Sequence, residues 1–124
     1  MSWITPTAWF ALALVHLPPA AVLVRPALIE TLYGTSATGD AGVLLVHRGA
    51  LFLAVVVLCI FAAIEPSARR AASLVLGISV LGFLAVYAMA GMPAGALRII
   101  ALADAVALLP LGWVMWQAWV ERGR

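Results

Sequence analysis

Six polar side chains stand inside otherwise apolar sequence: His16, His47, Arg48, Tyr87, Arg98 and Asp104. Imidazole and carboxylate groups exchange protons, a guanidinium grips polar heads through a fork of donors, and a phenol gives or takes a hydrogen bond. By residue type, His47, His16 and Asp104 are the candidate catalytic acid–base groups, and Arg48, Tyr87 and Arg98 the candidate ligand-binding groups. His47 and Arg48 are neighbours in LLVHRGALF. No nucleophile motif, phosphate loop or oxyanion signature accompanies them. They indicate an acid–base repertoire without naming a reaction, so the enzyme reading stays open.

The elements that must position these groups are set by composition. Of 124 residues, 66% are hydrophobic and 10% charged, which is the profile of a membrane protein. The formal charge of +2 is scattered over the chain, and no nucleic-acid partner is predicted. The single cysteine, Cys59 in VVVLCIFAA, excludes an internal disulfide and a cysteine metal cluster and reads as a small apolar core residue. A haem or metal ion held by His16 and His47 is not predicted either, because two ligands leave a transition metal under-coordinated; no cofactor is expected.

Runs long enough to cross about 30 Å of hydrocarbon fall at 3–24, 41–64, 71–90 and 96–119. They predict an all-α fold, a single-domain antiparallel bundle of four transmembrane helices. Lacking Lys or Arg ahead of its apolar run, the first span is expected to be retained and not cleaved. The outer loop, 25–40, contains a short interfacial helix at 27–33, placed as a lid over the bundle mouth and stopped by Gly34, with Asp40 as the N-cap of the second span. Arg69, Arg70, Arg122 and Arg124 lie on one side, against Arg25, Arg48 and Arg98 towards the other. The positive-inside tendency then predicts a multi-pass inner (plasma) membrane protein with both termini cytoplasmic. Trp3, Trp9, Trp113, Trp116 and Trp119 form an aromatic belt on that cytoplasmic side.

Counting about 1.5 Å per residue from the span ends brings His16, His47, Arg48, Tyr87 and Asp104 to the same outer third. A charge near the middle of the membrane costs on the order of 2.5–3.5 kcal/mol on insertion scales, so lipid-facing positions are excluded. Arg48 and Asp104 share a depth with opposite sign, and a two-bonded ion pair between them is expected. Arg98, nearer the interface, either snorkels or adds a second donor to Asp104. Pro18 and Pro19 free the carbonyls of Leu14 and Val15 beside His16, which predicts a kink and a small internal cavity. Hydrogen bonds from the histidines to Asp104, Tyr87 or a freed carbonyl follow. Ser73, Gly77, Ser79 and Gly82 allow close helix approach, within one protomer or across a homodimer.

In LLVHRGALFLAVVVLCIFAAIEPSARRAA and LRIIALADAVALLPL the chain resembles the small bacterial four-helix membrane proteins of the DoxX-like kind. The resemblance rests on His47 with Arg48 and on Asp104; it implies the fold and carries over no catalytic residue. Together these features predict a pocket towards the outer face that binds or transforms a small lipophilic molecule with a polar head. Arg48 would hold the head, Asp104 would orient Arg48, and a histidine would donate or accept a proton. Two alternatives belong to other classes: an accessory membrane subunit whose Arg48–Asp104 pair fixes packing, and an oligomeric transporter of protons, ions or small solutes.

Overall fold

A computed structural model describes residues 3–121. Its α-helices are α1 (Ile4–Ala21), α2 (Leu28–Tyr33), α3 (Gly39–Ile64), α4 (Arg69–Met89) and α5 (Ala96–Trp119). No strand occurs among the described residues. The four long helices are each long and apolar enough to cross a membrane, and together they make an all-α, multi-pass four-helix bundle. Arg122 and Arg124, two of the four arginines used to orient the chain, lie outside the described residues.

Helix α1 keeps helical geometry through Pro18 and Pro19 and then tightens, with Val22 N–H bonding Pro19 O, Leu23 N–H bonding Ala20 O and Val24 N–H bonding Ala21 O. These three-residue steps satisfy the carbonyls of Pro19, Ala20 and Ala21, not those of Leu14 and Val15 that the proline pair leaves without donors. Gly34, in the left-handed region at φ 67°, stops α2 and gives its N–H to Glu30 O, as the sequence predicts. Helix α3 begins two residues before the predicted start. Its N-cap is the extended Thr38, so Asp40 is not the cap; it lies in the first turn, where its charge complements the helix dipole. Pro66 forces Glu65 into an extended conformation, and α3 ends there before a single 3₁₀ turn, Pro66–Ala68.

The core runs through the middle of the bundle as Trp9, Leu12, Val56, Cys59, Leu76, Val80, Leu111 and Val114. Alanines such as Ala13, Ala62, Ala72 and Ala107 are buried at the contacts and let the backbones approach. Helix α1 packs most closely on α3, and α4 on α5; α1 and α5 join the two pairs, while α3 and α4 touch only slightly. A Cβ added at Gly49 of α3 would sit 2.8 Å from Leu23 N and 3.3 Å from Pro19 O, so only glycine fits where α3 meets the tightened end of α1. The small face of α4 is used within the protomer: Trp119 Nε1 donates to Ser73 Oγ at 2.9 Å, and Gly77 leaves room for Met115.

The tryptophans divide. Trp3, Trp116 and Trp119 are exposed at the end carrying both termini, but Trp9 is fully buried and does not join the belt. It shares one α1 stripe with Leu12, Ala13 and His16, which turns it to the core.

Candidate functional site

Two polar residues reach the same cavity from opposite helices through a shared local pattern. His16 continues the buried stripe of α1, and Asp104 takes one place in the Ala101–Ala107–Leu111 stripe of α5. His16 is 2% exposed and Asp104 9%. Arg48 enters from α3 immediately before Gly49. The three line a cavity of ≈ 180 Å³ whose apolar wall includes Val15, Pro19, Leu32 and Phe52. Leu32 belongs to α2, so the short helix lies over the cavity, with Ile29 fully buried beneath it. Pro18 of α1 and Ile99 and Ala103 of α5 also line the cavity and are exposed, which puts its mouth on the side of the bundle between α1 and α5.

Three aromatic rings surround the Arg48 guanidinium. Its central carbon lies 4.7 Å from the centre of Phe52, 5.8 Å from Tyr33 and 5.8 Å from Phe83. Ring faces carry negative potential and stabilise a desolvated cation. They do not satisfy its N–H groups. Nε of Arg48 is buried without a hydrogen-bond partner. The expected Arg48–Asp104 ion pair is not formed: among the described residues no nitrogen of Arg48 comes within 4.0 Å of a carboxylate oxygen. The pair faces the cavity from two helices and does not close across it.

His16 also departs from expectation. Its Nδ1 lies 2.8 Å from Leu12 O, one turn back on α1, and not against Asp104, Tyr87 or a freed carbonyl. A carbonyl only accepts, so Nδ1 carries the hydrogen and Nε2 of the neutral ring is an acceptor. Phe52 lies against the imidazole, 5.6 Å between ring centres. The cavity thus combines donors from Arg48, an acceptor on His16 and a carboxyl group on Asp104. That set can bind a head group that both gives and receives hydrogen bonds.

The other predicted residues stand elsewhere. His47 is exposed on α3, because neighbouring residues project about 100° apart around a helix and Arg48 takes the inward direction. Tyr87 is buried and donates to Pro93 O at 2.7 Å, tying the end of α4 to the following turn. With the exposed Arg98 it borders a separate groove between α4 and α5. The sequence reading overlooked Phe52, Phe83 and Gly49, and it counted Tyr33 only as part of the lid. One signal was available for Phe52, which follows Arg48 by four residues and therefore shares its helix face.

No group of three or more His, Cys, Asp or Glu side chains is placed to hold a metal ion among the described residues. No protein-family model matches the chain, and neither the curated proteins nor the solved structures contain a match.

Proposed function

We propose that this protein binds a small amphiphile by its polar head in the cavity beneath α2, with Arg48 as the principal head-group ligand and with Asp104 and His16 completing the polar lining. The observation that carries the reading is the guanidinium: three aromatic rings hold it at the cavity, and Nε is buried and unpartnered. An unmatched buried donor costs about 1–3 kcal/mol; Arg70 carries one too, but Arg48 carries it where the side chain lines a cavity with Asp104 and His16. In this reading the ligand supplies the missing acceptor. In the same reading His16 Nε2 takes a proton from the bound head, and His47, Tyr87 and Arg98 have no role. Kinship with the DoxX-like proteins and an inner-membrane location with cytoplasmic termini belong to the same proposal. Arg69 and Arg70 at the terminal end are in keeping with that orientation.

Native mass spectrometry of protein purified in a mild detergent tests the reading. A small-molecule adduct is expected on the wild-type chain and is expected to be absent from a folded Arg48→Met variant. A wild-type chain that carries no adduct, and that melts at the same temperature with and without added membrane extract, would overturn it.

A further inference from the structure

The charge balance of the cavity, its size and its sideways mouth together narrow the ligand class, on the basis of the head-group reading above. Arg48 contributes one positive charge and Asp104 one negative charge to the same lining, and His16 shows the cavity a neutral acceptor. The lining is therefore neutral as a whole. An ionised head would leave one charge unmatched in a place of low polarity, which is costly. An uncharged head that accepts from Arg48 and donates to Asp104 or to His16 Nε2 satisfies both sides.

Volume sets the second limit. A protein cavity of about 150 Å³ can hold a molecule the size of benzene, so ≈ 180 Å³ accommodates a head and its first few carbons but not a long chain. The chain must leave, and the exposed Pro18, Ile99 and Ala103 show where. We infer that the site takes a neutral, single-chain alcohol from within the bilayer, the hydroxyl bridging Arg48 and Asp104 while the hydrocarbon tail passes out between α1 and α5 into the lipid.

The test uses the full chain in nanodiscs of a zwitterionic phospholipid. The discs are equilibrated at equal mole fraction with tetradecanol, tetradecyl sulfate or tetradecylammonium, and retained probe is quantified by mass spectrometry against protein-free discs. Wild type is expected to retain tetradecanol about tenfold over either ionic probe, the discrimination that an unmatched charge imposes. Asp104→Asn leaves the lining positive and should shift the preference to tetradecyl sulfate; Arg48→Gln leaves it negative and should shift the preference to tetradecylammonium. Ala103→Phe blocks the mouth without touching a polar group, and should reduce tetradecanol retention about tenfold, as a filled cavity mouth excludes the tail. Wild-type retention of an ionic probe equal to or above that of the alcohol would overturn the inference and leave the head-group reading standing. Variants that keep the wild-type order of preference would do the same. Retention of no probe above protein-free discs would overturn both.

Discussion

The two ends of the bundle differ in what surrounds their arginines. At the end that carries the termini, Arg69 reaches back from the start of α4 to the end of α3, donating through Nε to Ala62 O at 2.7 Å and through Nη2 to Ala63 O at 2.9 Å. These are carbonyls that a helix C-terminus leaves without partners. Arg70 lies 3.9 Å over the Trp119 ring, whose N–H is in turn held by Ser73, while its own Nε is buried without a partner, as that of Arg48 is. Other polar groups at this end are similarly engaged: Trp113 Nε1 donates to Thr5 Oγ1, Thr7 Oγ1 to Trp3 O, and Gln117 to Glu121. At the α2 end, Arg48 has rings around it and a cavity before it, but no protein acceptor for Nε. One end ties Arg69 to backbone carbonyls and seats Arg70 on an indole. The other presents donors and acceptors to a space.

This contrast predicts an ordered series of stability changes, measured by reversible unfolding in mixed micelles. Arg69→Met should cost the most, about 2–3 kcal/mol, since it strips two charge-assisted bonds from buried carbonyls. A cost below that of Arg48→Met made together with Asp104→Asn would break the contrast. Gly49→Ala should cost about 1–2 kcal/mol, because its Cβ meets backbone of α1, while Gly82→Ala, which meets open space on α4, should be neutral or stabilising by less than about 1 kcal/mol. Equal effects of the two alanines would remove the close α1–α3 seam from the account. Trp119→Phe, which loses the bond to Ser73, is expected to cost about 1 kcal/mol. The smallest effect belongs to Arg48→Met made together with Asp104→Asn, below about 0.5 kcal/mol, as the loss of ring contacts is offset by removal of an unpartnered donor and no buried carboxylate is left unmatched. A larger loss would mean that Arg48 serves the fold and not a ligand.

How much of this was legible from residues alone follows a physical line. Four spans, the lid helix and its Gly34 stop are carried by hydropathy, length and turn chemistry, which act locally. Depth is also readable, because rise per residue is fixed, and it brought His16, Arg48 and Asp104 to one level. Rotation about each helix axis was less accessible. Depth counting treats His47 and Arg48 as equals, whereas Gly49 fixes the α3 face against α1 and leaves Arg48 inward and His47 outward. The α1 stripe of Trp9, Leu12, Ala13 and His16 did hold rotational information, and would have put Trp9 in the core. Partner choice was the least legible. Tyr87 turns to Pro93 O and His16 to Leu12 O because backbone acceptors nearby in the chain are reached at little entropic cost. Arg48 and Asp104 lie at matching depth, yet matching depth does not close the distance between two helix axes.

The proline pair also sets how far regular helix runs on the cavity side of α1. By ending α1 at Ala21 it leaves an 18-residue helix, about 27 Å long at 1.5 Å per residue, beside the 26-residue α3, about 39 Å on the same rise. The regular helices therefore differ by about two turns, and the apolar run of α1 is carried on through Val22–Val24 in the tightened turns. The same residues thus exchange the last turn of α-helix for tighter turns beside the cavity that Pro18 and Pro19 line.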